Sequence, residues 1–347
     1  MTESLFPFAS YWWFYLGFSG FVIAVLALDL GLFHREHKEV SFREATAWTF
    51  VWISLALTFN FLLYRYCLTS FADNPNLTSI PGFVPAEAAK RVALQFLAGY
   101  IVEESLSMDN IFVFVLIFRY FAVPLAYQHR ILFLGILGAI VFRGIFITIG
   151  AALIQYRWVV VIFGLFLTIT GIKMLFAGEE KIDPSHNPLV RLLGRFMRIT
   201  PYMHGPDFFV RTGNVLHATP LLVTLVCIET TDILFAIDSV PAVFALTREP
   251  LIVFTSNIFA ILGLRSMYFM LAGAIDKFHL LKIGLALVLV FVGCKMLFLH
   301  ELYGGEFPIA LSLAIIAVLL GGSIALSLLF PKRPEPLPAI EPANPDE

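Results

Sequence analysis

Ala45 to Tyr64 reads ATAWTFVWISLALTFNFLLY, twenty residues without a charge on any face. A helix needs about 20 apolar residues to cross a hydrocarbon core roughly 30 Å thick. The core of a soluble domain would be built from shorter runs broken by polar faces, so this stretch predicts a membrane span. The rest of the chain repeats the pattern. Of its 347 residues, 59% are hydrophobic and only 14% charged, and the mean hydropathy is +0.86; soluble domains carry nearer a quarter charged residues. Nine spans are expected, at about 11–33, 45–64, 92–118, 131–154, 158–176, 216–246, 250–274, 281–299 and 306–330. The fold class is all-α, a polytopic membrane protein.

Between the spans, lysine and arginine are unevenly shared. With the N-terminus outside, cytoplasmic segments hold 14 of them and outer segments 5, which favours N-out and C-in by the positive-inside rule. The opening MTESLFPF has no basic n-region, so the first span is expected to stay as an anchor. The chain divides into two N-terminal spans (1–91), three spans (92–177), a cytoplasmic loop (178–215), three more spans (216–300), a last span (301–330) and a proline-rich tail (331–347). That tail has six prolines in 17 residues and is expected to be disordered. A net charge of −2 gives no case for nucleic acid. Cys67, Cys227 and Cys294 lack metal or redox spacing. No nucleophile–base pairing or cofactor motif stands out, so neither an enzyme nor an organic cofactor is expected.

The two three-span blocks resemble each other. GIKMLF (Gly171–Phe176) recurs as GCKMLF (Gly293–Phe298), 122 residues later, and the same offset carries Arg143 onto Arg265. Upstream the offset is 129, carrying Glu103 onto Asp232 and Asp109-Asn110 onto Asp238-Ser239. An odd number of crossings per copy makes the copies enter from opposite sides. That is the inverted repeat common in secondary transporters, whose sites lie near midplane between the repeats.

Acids inside the spans indicate what such a site would hold. VEESLSMDNIFVF (Val102–Phe114) carries Glu103, Glu104 and Asp109; IETTDILFAIDSVPAVF (Ile228–Phe244) carries Glu229, Asp232 and Asp238; Asp29 closes the first span. Each exposed acid at a helix centre costs roughly 2.5–3.5 kcal/mol, so these must face an interior, a cavity, a counter-ion or a proton. Arg143 and Arg265 are candidate counter-ions, whereas Lys173 and Lys295, near helix ends, are expected to snorkel outward. The four bases are fewer than the acids, leaving negative charge for a cation or protons. All eight histidines fall in loops or at span ends. An all-oxygen set suits Mn²⁺, Mg²⁺ or Ca²⁺ rather than zinc, copper or nickel. Asn110, Ser239, Ser107, Thr230 and Thr231 add further oxygens. Asp232 and Asp238 stand about 120° apart on an ideal helix, as do Glu103 and Asp109. Either the helices are irregular there or each acid addresses a different neighbour. Pro241 frees the carbonyl of Ile237 beside Asp238. Glu104 aligns with Ile233 and has no acidic counterpart. Asn60 and Asn257 read as helix–helix hydrogen-bonding residues.

Glu103–Phe114 (E-x-S-L-S-x-D-N-x-F-V-F), Glu229–Ala242 (E-x-T-D-x-x-F-A-x-D-S-x-P-A) and LDLGLFHR (Leu28–Arg35) resemble the TerC/Alx family of integral membrane proteins, in the LysE-type transporter superfamily. The resemblance runs from about residue 12 to 330. It implies a bacterial inner-membrane exporter of Mn²⁺ from a family named for tellurium resistance. It also implies ion-carrying roles for Glu103, Asp109, Glu229, Asp232 and Asp238 and a further role for Asp29, while the residues themselves add Glu104, Asn110 and Ser239 as accessory positions. Lysine is common in the family where this chain has Glu104. The expected partners are the bilayer, a divalent cation and coupling protons. The competing expectation is a non-transporting membrane assembly or metal-resistance component, docking partners through the 178–215 loop.

Overall fold

A computed structural model describes residues 5–33, 41–176, 188–212, 215–272, 278, 280–299, 302 and 307–330. Of Asp29 and Asp109 it describes the backbone only, and the 331–347 tail lies outside it. The chain folds as α1 (Phe8–Phe33), α2 (Phe42–Ala72), the short α3 (Pro75–Thr78), α4 (Pro85–Tyr120), α5 (Leu125–Leu153), α6 (Arg157–Phe176) and α7 (Pro188–Phe196). There follow the strands β1 (Arg198–Ile199), β2 (Phe209–Thr212) and β3 (Val215–Ala218). The remaining helices are α8 (Pro220–Phe244), α9 (Pro250–Leu271), α10 (Leu281–Cys294) and α11 (Ile309–Leu329). Local chemistry sets many of the starts. Ser41 caps α2 by accepting from the Glu44 N–H at 3.3 Å. Proline opens α4, α8 and α9, where a missing N–H costs nothing and φ is already helical.

Among the described residues, eight helices are long and apolar enough to cross a membrane: α1, α2, α5, α6, α8, α9, α11, and α10 extended through its π-helical turn Lys295–Leu299. α4, expected as the third span, is the longest at 36 residues but carries three carboxylates in its middle. It lies inside the bundle, packed against α2, α8, α9 and α11. The hub is α9, with 94% of its apolar window buried, against at most 50% for any of the other seven. On the outer helices the large apolar side chains face outward: Phe50 is 65% exposed and Val318 72%. In water that surface would be a liability; in lipid it is the solvent-facing side.

Two features were not expected. The span expected to begin at 216 is preceded by strand: Val215–Ala218 pairs antiparallel with β2 and parallel with β1, and α8 starts only at Pro220. The resulting three-stranded sheet, order β1-β3-β2, is pinned to the end of the bundle. Arg130 donates to the Pro206 carbonyl at 2.7 Å and lies 4.9 Å over the Phe208 ring. Thr219 donates to the Asp207 carbonyl at 2.7 Å. The second is Lys295, which does not snorkel. It is 5% exposed, in the π-helical turn, with Nζ 5.7 Å from the Phe307 ring centroid, so an aromatic face takes the place of the interface. Lys173 is exposed.

Contact between α6 and α10 is close enough to need glycine on both sides. A Cβ at Gly171 would lie 2.7 Å from the Ala286 carbonyl oxygen and 2.9 Å from the Val290 nitrogen; one at Gly293 would lie 2.7 Å from both the Gly164 oxygen and the Thr168 nitrogen. Shifted by 122 residues, Gly171, Gly164 and Thr168 fall on Gly293, Ala286 and Val290, so the two contacts are reciprocal. Helix neighbours repeat the relation: α4 packs on α9 as α8 packs on α5, while α4 with α8, α5 with α9 and α6 with α10 pair directly.

Candidate cation site

α4, α5, α8 and α9 converge on one side chain. Arg143, from the middle of α5, is fully buried. Its Nη1 is ion-paired with the Glu103 carboxylate of α4 and donates to Ser239 Oγ of α8 at 3.3 Å and Asn257 Oδ1 of α9 at 3.2 Å. Nη2 reaches Asp232 Oδ1 of α8 at 3.5 Å. Asn110 Nδ2 donates to that same Asp232 oxygen at 3.4 Å. Glu103, Asn110, Asp232, Ser239 and Asn257 are all buried, none more than 3% exposed. Two carboxylates thus face one guanidinium, and the group carries a formal charge of −1.

Several buried oxygens here have no hydrogen-bond partner among the described residues: Glu103 Oε2, Asp232 Oδ2, Asn110 Oδ1, Ser107 Oγ and, further along, Glu229 Oε2. A buried unpaired oxygen costs free energy, and these five, with Glu104 Oε2 on another face of α4, need an account. The atoms are hard oxygen acceptors, the donor type that Mg²⁺, Ca²⁺ and Mn²⁺ take. Thr230 and Thr231 turn their hydroxyls back to the Val226 and Cys227 carbonyls. Glu229 lies against α5, its carboxylate filling the space a side chain at Gly138 would need.

The mate of Arg143 has different surroundings. Arg265, 7% exposed, lines a cavity of about 10 Å³ with Asp232 and Gly135, room for the centre of one water. Shifted by 122 residues, Gly135 falls on Asn257. Beside Arg143 that place is filled by the Asn257 amide; beside Arg265 it is a glycine, and the cavity lies there. Asp232 borders both arginines.

A family model described as "Integral membrane protein TerC family" matches residues 88–335. The chain belongs to the TerC family. This TerC chain is 48% identical over 315 residues to an uncharacterized membrane protein of Myxococcus xanthus, covering 90% of this chain and 91% of the relative. It is 45% identical over 302 residues to a protein of Escherichia coli strain K12 (86% and 89% covered), and 41% over 308 to one of Photorhabdus laumondii (87% and 92% covered). Both of these carry the name "membrane-bound redox modulator Alx". No solved structure matches the chain. It is a multi-pass integral membrane protein, and the named family is the one that its acidic motifs resemble.

Among the acids of this TerC chain, the structure brings Glu103 and Asp232 together. Asp238, half-buried beside the exposed Leu234 and Ile237, makes no hydrogen bond or ion pair among the described residues. Glu104 faces away from Arg143, toward α2 and α9: its Oε1 is 3.5 Å from where a Cβ on Gly263 would sit, near Trp52. The Asp29 and Asp109 side chains lie outside the described residues. Asn257 makes the helix–helix hydrogen bond expected of it, to Arg143 of α5; that it shares this arginine with the acids is what the sequence did not disclose. It reads as an ordinary interhelical amide, and its repeat mate is a glycine, so the internal comparison passes over it.

Proposed function

We propose that this protein is a secondary exporter of Mn²⁺ across the bacterial inner membrane, with the N-terminus outside and the C-terminus in the cytoplasm. The observation that carries the reading is the set of buried, unpartnered oxygens around Glu103 and Asp232. Glu103, Asp232 and Asn110 would take the ion, with Ser239 beside them. Glu229, Asp238 and Asp109 would be acids flanking its route, and Arg143 and Arg265 counter-ions. The reciprocal packing of α4–α6 on α8–α10 supports an inverted repeat, in which two halves rocking about a shared site expose it to either side in turn. Protons entering as the ion leaves would neutralise the carboxylates and lower their hold on it, giving antiport. A divalent oxygen site needs no organic cofactor and no chemical step, in keeping with a transporter rather than an enzyme.

The name of the Alx relatives favours a second reading, a membrane component that acts through partner proteins on redox balance or metal resistance. The sheet and α7, pinned at the end of the bundle, would then be the docking element. Reconstitution separates the two. Liposomes containing the protein are tested for uptake of Mn²⁺, Ca²⁺, Mg²⁺ and Fe²⁺ with and without a pH gradient, beside Glu103→Gln and Asp232→Asn. Transport predicts Mn²⁺ flux that a pH gradient accelerates and both substitutions abolish. No flux of any divalent ion would favour the partner-protein reading, and wild-type flux in both variants would remove the site from its assigned place.

A further inference from the structure

We propose that Arg143 is a tethered cation: its guanidinium holds the carboxylate pair in the ion-free protein and has to release it when a divalent ion loads. The inference rests on the transport reading above and gives that site its regulation. Arg143 grips four oxygen-bearing side chains from three helices: Glu103 on α4, Asp232 and Ser239 on α8, and Asn257 on α9. Guanidinium and a hard divalent cation want the same atoms, carboxylate and amide oxygens. With Arg143 in place, the two carboxylates carry one residual negative charge. Adding a divalent ion without moving the arginine would reverse that charge and put two cations on one set of donors in a dry interior, where like charges repel strongly. With the arginine withdrawn, the ion and the two carboxylates are neutral. The two cations therefore compete.

The grip is also incomplete. Arg143 Nε has no hydrogen-bond partner among the described residues, and neither have Glu103 Oε2 and Asp232 Oδ2. Arg143 is held through its two terminal nitrogens alone, and each carboxylate keeps an oxygen in reserve. An arriving ion can take the reserved oxygens first and the shared ones as the arginine leaves.

This gives the arginine a place in the transport cycle. After the ion departs, an empty site with two bare carboxylates could not cross the low-dielectric interior state. Arg143 folding back onto Glu103 and Asp232 cancels one of those two charges and a coupling proton the other, and the ion-free protein can reorient. Net export therefore needs Arg143, whereas exchange of one Mn²⁺ for another, in which the site is never empty during reorientation, does not.

Arg143→Gln and Arg143→Lys test this. Binding is read from the loss of the free Mn²⁺ electron paramagnetic resonance signal in detergent, and transport as net flux and as radiolabelled Mn²⁺ exchange in liposomes. The glutamine variant is expected to bind Mn²⁺ at least tenfold more tightly than wild type, to exchange within threefold of it, and to lose at least tenfold in net flux. The lysine variant keeps a point charge but cannot hold four acceptors in a planar fork, so it should bind more tightly than wild type and retain more net flux than the glutamine variant. A folded glutamine variant that binds Mn²⁺ no better than wild type overturns the inference, as does parallel loss of exchange and net flux. If the glutamine variant fails size-exclusion chromatography, lysine decides: Mn²⁺ affinity at or below wild type is the overturning result. Wild-type protein that moves no Mn²⁺ would sink the transport reading itself, whereas normal wild-type transport with unaltered variants would sink only the role given to Arg143.

Discussion

Glu103 and Glu104 are adjacent in sequence and face different helices, and the difference separates two kinds of buried acid. Glu103 meets Arg143; Glu104 points toward Gly263 of α9, on the side where Trp52 of α2 also lies. Removing one partner of a buried ion pair strands the other, at a cost of about 3–5 kcal/mol. Glu103→Gln leaves Arg143 its second carboxylate, Asp232, so it strands no charge; it is expected to lower stability by only about 1.5–3 kcal/mol, the worth of a hydrogen bond to a charged group, seen as a drop in the thermal midpoint, and to weaken Mn²⁺ binding at least tenfold. Glu104→Gln strands no base and should leave Mn²⁺ affinity within about twofold of wild type; a tenfold loss would place Glu104 in the ion site. Asp232 and Asp238 make a second contrast. Asp232→Asn disturbs Arg143 and Asn110 together and should destabilise. Asp238→Asn breaks no hydrogen bond among the described residues and should melt within about 0.5 kcal/mol of wild type. That acids cluster here is legible in the sequence, because each is costly in lipid and the repeat aligns Glu103 with Asp232. Which of them meet is not legible. An ideal helix puts Asp232 and Asp238 some 120° apart but does not say which face meets α5.

At the scale of elements, helices are legible and their contacts are only partly so. Apolar length alone marks every expected span except α4. GIKMLF and GCKMLF mark a relation between α6 and α10, but nothing in one sequence says that the two glycines lie against each other's helix. Their role is steric: at Gly171 and Gly293 a methyl group would strike backbone, which has no rotamer by which to escape. Gly171→Ala and Gly293→Ala should each cost about 1–3 kcal/mol by overpacking. Gly144→Ala on α5, where a Cβ meets nothing within 4 Å, should be neutral or stabilising by about 0.5–1 kcal/mol, since glycine is a poor helix former. Thermal midpoints in detergent give the comparison. Equal effects at all three positions would mean that α6 and α10 are not closely packed at these glycines. β3 was hidden for a related reason. Val-Leu-His-Ala is as apolar as the start of a span, and only the partners on β1 and β2 make it strand.

For the whole molecule, the decisive question is whether α4 crosses the bilayer. On apolar content it fails, since Glu103, Glu104 and Asp109 interrupt it, and the eight other helices would put the outer ends of α1 and α11 on the same side. On packing it is expected to cross. At 36 residues and 1.5 Å per residue it is about 54 Å long, more than a hydrocarbon core. It is flanked by α2, α8, α9 and α11, each itself long and apolar enough to span. Its described acids are turned to protein rather than lipid: Glu103 is fully buried against Arg143, and Glu104 lies between α2 and α9. Ionisable residues in such a position are tolerated because they face the bundle interior. Nine crossings is an odd number, so the Phe8 end of α1 and the Phe330 end of α11 should lie on opposite faces. A green fluorescent protein fused at the C-terminus folds and fluoresces only in the cytoplasm and should be bright. A cysteine placed ahead of Phe8 should react with an impermeant maleimide in intact spheroplasts. Both ends reporting from one side would mean that α4 does not cross, and the reciprocal packing of α4 with α9 and α8 with α5 could then not come from two halves inserted in opposite directions.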